Sequence, residues 1–211
     1  MIGLIRKDFY TLGRYGRFML IYLLVFGVLF AGQGSGSFIS SMMVVMVTIM
    51  SISTFSYDDY AKWDRYAVST PVSRKKIVLA KYLLVLILVV LGAAAGLLIN
   101  LIYKFFRPEL DLLEASVSVA ASSLVGATMT GVTIPFIYKY GTEKSRLVML
   151  VLFAVPTGVI ILLSQYMPEL DVAAISELTR TLLLCAPLLC IAVVCFSYVA
   201  AVRIFIKKEI V

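Results

Sequence analysis

The side chains able to do chemistry are few and poorly spaced for catalysis. Cys185, Cys190 and Cys195 follow one another at steps of five. Five residues turn a helix by about 500°, so the three thiols are expected on different sides, unable to converge on a metal. Nor do they form a disulfide framework, and they read as small apolar packing residues. Serines are plentiful, among them Ser40, Ser41, Ser51, Ser53, Ser116, Ser118, Ser122 and Ser123, but the chain has no His. That removes a Ser–His pair and any His-containing zinc site. It leaves the serines close helix packing and backbone or interhelical hydrogen bonds. There is no G-x-x-x-x-G-K-[ST] loop to cradle a nucleotide's phosphates. The chain is therefore not expected to be an enzyme, nor to hold a cofactor or metal, and energy for any pumping has to come from another chain.

The elements that carry these residues are apolar to an unusual degree. Hydrophobic residues make up 62% of the 211 and charged ones 15%, against roughly half and a quarter in a soluble domain. The apolar residues gather in uncharged blocks long enough to cross a bilayer. The blocks predict an all-α integral membrane protein, a single domain of six transmembrane helices at about 17–33, 38–56, 82–103, 115–138, 147–165 and 182–206. The first block is expected to be a retained helix, because no A-x-A-like site follows it and five more spans do. No Asp, Glu, Lys or Arg stands near the middle of a span, which argues against a proton or ion relay. Three spans followed by three would permit an inverted repeat, but the halves share no residue-level similarity.

The net charge of +7 matters less than its distribution. Of the 19 basic residues, all but Lys104, Arg107 and Arg180 fall in the N-terminal segment, the 57–81 loop, the fourth connection or the C-terminus. The 12 acidic residues divide evenly between the two sides. The positive-inside rule counts Lys and Arg, so both termini are expected in the cytoplasm, and the charge does not call for nucleic acid. Outside lie the turn 32–37, the loop 104–114 and the segment 166–181, a connector helix or one that dips back into the membrane. Asn100 sits at the outer end of its span, where a polar group is cheap. Pro135, after Thr128, Thr130 and Thr133, is expected to free a backbone carbonyl that nearby hydroxyls satisfy. Pro156 and Pro187 are further candidate bends.

The 57–81 loop is far longer than a minimal helix connection. Asp58, Asp59 and Asp64 alternate with Lys62 and Arg65, and Tyr57, Tyr60, Trp63 and Tyr66 suit the headgroup region. Together they predict a short helix along the membrane surface. Thr70 and Pro71 form a candidate N-cap and N1 pair, with Ser73 as another cap. Two uses stay open for this loop: contact of its basic cluster with anionic lipid, or docking of a cytoplasmic partner through aromatic and Arg anchors.

The run Y-D-D-Y-A-K-W-D-R-Y followed by T-P-V-S-R-K-K-I-V-L-A-K-Y, from Tyr57 to Tyr82, resembles the first cytoplasmic loop of small type-2 ABC exporter permeases. Ile5–Phe9, before the first span, is similar to the same family. Within it, the chain looks most like the permeases of bacterial peptide exporters, including those for phenol-soluble modulins. The resemblance implies a multi-pass protein of the bacterial cytoplasmic membrane. It would pair with a second permease, identical or different, and with two cytoplasmic ABC ATPase subunits that hold the ATP and Mg. It also implies a coupling helix near Asp58–Arg65 seated on the ATPase, with Pro71–Lys76 following. Candidate contacts are Asp58, Asp59, Lys62, Trp63, Asp64, Arg65 and Arg74. A second coupling element would fall in Tyr140–Arg146, through Glu143 and Lys144, and the N-terminal stretch to Arg17 would be a surface helix. Leu4, Ile5, Phe9 and Leu12 among basic residues independently suit an interfacial helix.

The expected function is export of an amphipathic or hydrophobic peptide, as toxin export or as immunity to antimicrobial peptides, since uncharged walls suit such cargo. The other reading is a non-transporting scaffold or sensor that binds a cytoplasmic partner through the same loop.

Overall fold

The computed structural model describes residues 2–13, 21, 25, 36–108, 111–166 and 172–208. Runs of Leu, Val, Ile and Ala favour helix where no water competes for the backbone, and among the described residues every regular element is α-helical. The order is α1 (Ile2–Gly13), α2 (Gly36–Tyr60), α3 (Trp63–Ser69), α4 (Arg74–Phe106), α5 (Leu112–Tyr140), α6 (Thr142–Tyr166) and α7 (Val172–Lys207). Four stretches among the described residues are long and apolar enough to cross a membrane: α2, α4, α5 and Cys185–Lys207 of α7. They contain, or in the case of 182–206 largely coincide with, four of the expected spans, and 147–165 lies within α6. The expected 17–33 span falls almost wholly outside the described residues, as does the first part of 166–181.

The helices outrun the apolar blocks. At 33 residues, α4 is about 50 Å long, against a hydrocarbon core of about 30 Å. Its first two turns are therefore carved from what the sequence presents as loop. Within 57–81, α2 continues to Tyr60, a turn at Ala61–Lys62 leads into α3, and Thr70–Ser73 leads into α4. The expected Thr70–Pro71 cap is corrected here: Thr70 is the C-cap of α3, extended at φ −83° and ψ 155°, with its hydroxyl donating to Ala67 O at 2.6 Å. The residue before a proline is pushed out of the helical region, so the pair ends a helix instead of opening one. Ser73 takes the N-cap position of α4, through its backbone carbonyl and without a side-chain bond.

The bundle closes where side chains are small. A Cβ on Gly96 of α4 would lie 3.0 Å from Val44 Cγ2 and 3.3 Å from both Ser40 O and Val119 Cγ2, so α2 and α5 approach at that level. Gly92, one turn earlier, faces Val44 and Val47 equally closely, and the G-x-x-x-G pair packs helices as its spacing suggests. The buried hydroxyls of Thr48, Ser51, Thr54, Ser122, Thr130 and Thr133 each turn back onto their own helix, satisfied without a partner helix. At the end of the bundle where α3 packs, Tyr138 sits between Phe55 (5.7 Å) and Phe205 (4.9 Å), joining α5, α2 and α7.

Candidate functional site

The residues singled out in the sequence gather at this same end, in two tiers. The outer tier is an exposed face. The α2–α3 turn depends on Lys62, whose φ of 49° puts it in the left-handed region, a strain of about 1–2 kcal/mol for a residue with a Cβ. The turn aims α3 so that Ala67 is buried while Lys62, Arg65, Tyr66 and Ser69 face outward, beside an exposed Tyr60. Next to them lies the α5–α6 corner. Gly141, at φ 84°, makes the reversal that a side chain would strain. It delivers exposed Glu143 and Lys144. The two corners touch, since the Thr142 N–H, at the first turn of α6, donates to Asp59 Oδ2 at 3.2 Å. A carboxylate at a helix N-terminus satisfies an otherwise unpaired N–H and suits the helix dipole. Between the corners is a cleft of about 350 Å³ that includes Asp59, Tyr60, Tyr140, Glu143, Lys144 and Arg146 in its lining.

The inner tier consists of internal contacts that brace this face. Asp58 points inward to an ion-pair cluster. Lys81 Nζ lies 2.7 Å from Asp58 Oδ2, 3.0 Å from Asp8 Oδ2 and 3.1 Å from the Thr54 hydroxyl. Lys7 bridges the same two carboxylates, 3.1 Å from Asp8 Oδ1 and bonded to Asp58 Oδ1. Two lysines and two aspartates alternate, so the cluster is neutral. The Lys81 and Asp8 side chains are 7% and 3% exposed, which makes each charge dependent on the others. The cluster ties α1 to the end of α2 and to α4. Lys7 also stands 4.2 Å above the Trp63 ring, a cation–π contact that carries the linkage into α3.

Two further predicted residues lie in the inner tier. Asp64 pairs with Lys208 at 3.0 Å. Arg74 Nη1 donates to the carbonyls of Phe205, Ile206 and Lys208 at 3.2, 2.8 and 3.1 Å, holding the last turn of α7, whose carbonyls have no helical donors. Of the nine residues singled out, Asp59, Lys62, Arg65, Glu143 and Lys144 are exposed on the face, and Asp58, Trp63, Asp64 and Arg74 support it from within.

Sequence reasoning missed Lys7, Asp8 and Lys81 as a unit. Lys81 counts as a loop residue if the third span opens at 82, yet a helix begun at Arg74 puts Lys81 on the stripe shared by Ile77, Val78, Leu84 and Val85, all buried. The one acidic residue of an otherwise basic N-terminal segment, Asp8, was its signal for a partner. Asn100 also proves to be buried: its Nδ2 donates to Ala115 O at 3.3 Å and its Oδ1 has no partner. Cys190 is buried, whereas Cys185 and Cys195 are exposed, so the thiols do face different ways.

A family model described as ABC-2 family transporter protein matches residues 3–206. No curated protein and no solved structure matches the chain. The family match spans nearly the whole sequence, and it implies a membrane subunit that associates with an ABC ATPase carried on another chain. Matched to that family over nearly its whole length and carrying apolar helices long enough to span a membrane, the chain belongs to the ABC-2 transporter family as a membrane permease.

Proposed function

We propose that the chain is the transmembrane subunit of an ATP-driven exporter of amphipathic or hydrophobic peptides in the bacterial cytoplasmic membrane. It crosses the membrane six times with both termini in the cytoplasm. It pairs with a second permease, identical or different, and with two ATPase subunits, one of which docks on the face formed by α3 and the α5–α6 corner.

The observation that carries this reading is the Asp59–Thr142 bond, which joins the two cytoplasmic corners into one face. A partner that moves α3 through Lys62, Arg65 and Tyr66 therefore also moves the start of α6, while the Asp8–Lys81–Asp58 cluster passes the displacement to α1 and α4. Closing the ATPase pair on ATP supplies such a displacement. Among the described residues no Asp, Glu, Lys or Arg lies near the middle of a span, which supports an apolar or amphipathic cargo over an ion.

The experiment is ATP hydrolysis by the assembly purified from its native membrane and reconstituted in proteoliposomes. Amphipathic helical peptides should stimulate hydrolysis, and Arg65→Glu should abolish the stimulation while the chain stays folded. Hydrolysis indifferent to peptide sinks the cargo assignment. Loss of partner binding in Arg65→Glu without any transport to lose favours the scaffold reading.

A further inference from the structure

Pro135 lies inside α5 and has no N–H, so the Gly131 carbonyl, four residues earlier, lacks its helical donor. Within a membrane-spanning helix such a group has to be satisfied from elsewhere. The threonines of α5 do not supply the bond, because Thr128, Thr130 and Thr133 donate to Leu124, Gly126 and Met129. The donor comes from α7: the Ser197 hydroxyl donates to Gly131 O. With its one proton committed there, Ser197 can only accept from Tyr82 of α4, whose hydroxyl is 2.7 Å away. Ser197 is 4% exposed. Gly131 admits α7 this closely, since a Cβ there would stand 3.2 Å from Val194 Cγ2, one turn before Ser197 on the same face of α7.

The placement of this chain of bonds gives it a consequence. The five residues of α5 beyond Pro135 lead directly to Gly141 and Thr142, the corner that Asp59 holds. Whatever sets the direction of that last turn sets where the corner stands.

We propose that Ser197, backed by Tyr82, is a positioning residue that pins the hinge opened by Pro135 in α5 and so fixes the approach of the α5–α6 corner to the α2–α3 turn. The assignment concerns the chain's own hinge and holds whatever the cargo.

Hydrogen–deuterium exchange on the full-length chain in detergent tests it, comparing Ser197→Ala, Pro135→Ala and the double variant. Ser197→Ala should speed exchange across 132–141 by roughly tenfold, the equivalent of one lost hydrogen bond, and leave 42–52 of α2 unchanged. Pro135→Ala restores an N–H for Gly131 O, so adding Ser197→Ala to it should change little. Ser197→Thr, which keeps the hydroxyl, should stay near wild type. If Ser197→Ala does not fold, Tyr82→Phe removes the backing donor and should give the same local pattern more weakly, again suppressed by Pro135→Ala. Undiminished effects in the Pro135→Ala background, or faster exchange spread evenly over all helices, would overturn the proposal.

Discussion

Withdrawing the Lys81 ammonium from water costs several kcal/mol, and Asp8, Asp58 and the Thr54 hydroxyl, all within 3.1 Å, offset that cost only together. Lys81→Met would leave two carboxylates facing one another with Lys7 alone between them. The expected loss is about 3–5 kcal/mol, read as a lower melting temperature of the detergent-solubilised chain. Asp58→Asn should recover part of that loss in the same background, because it removes the excess negative charge. Lys7 is a milder case: its side chain is 27% exposed and Lys81 remains to hold both carboxylates. Its distinctive effect is optical. Trp63 is the only tryptophan and Lys7 covers its ring, so Lys7→Ala should make its fluorescence more accessible to acrylamide. Unchanged quenching would mean that α1 does not touch α3.

At the scale of helices, their ends and crossings carry the account. Arg74 serves the last carbonyls of α7 from the first turn of α4, so Arg74→Ala should fray α7 from its C-terminal end. Hydrogen exchange should rise over 203–208 and not over 188–198, a pattern distinct from general loosening. The α2–α4 crossing is set by Gly96. Gly96→Ala puts a methyl 3.0 Å from Val44, a stiff side chain that is fully buried, at an expected cost of about 1–3 kcal/mol. Val44→Ala should relieve most of it, and a melting-temperature cycle over the two positions reads that coupling. Equal losses with and without the Val44 side chain would show that Val44 is not what the added methyl meets.

For the molecule as a whole, composition and block length made the membrane architecture legible, because a bilayer demands long apolar helices and little else satisfies that demand. The end of the bundle where α3 packs was legible only in part. The 57–81 run advertised a short helix, and one is there, though at Trp63–Ser69 and not near Asp58–Arg65, since α2 runs on to Tyr60. But the alternation of Asp and Lys gave no sign that Asp58 turns inward while Asp59 caps another helix. Neighbouring residues on a helix point about 100° apart, and which of them meets α1 or α6 is decided by tertiary packing. Likewise, Pro135 announced a freed carbonyl, yet its donor, Ser197, is 66 residues from Gly131 and on another helix. The most direct test of the central claim is purification of the chain from its native membrane in mild detergent, with mass spectrometry of what accompanies it. An ABC ATPase subunit should co-purify in stoichiometric amount and be lost when Lys62, Arg65 and Tyr66 are replaced together by Glu. A chain that comes away alone, or an ATPase that stays bound to the altered face, would contradict the assignment of that face as the ATPase dock.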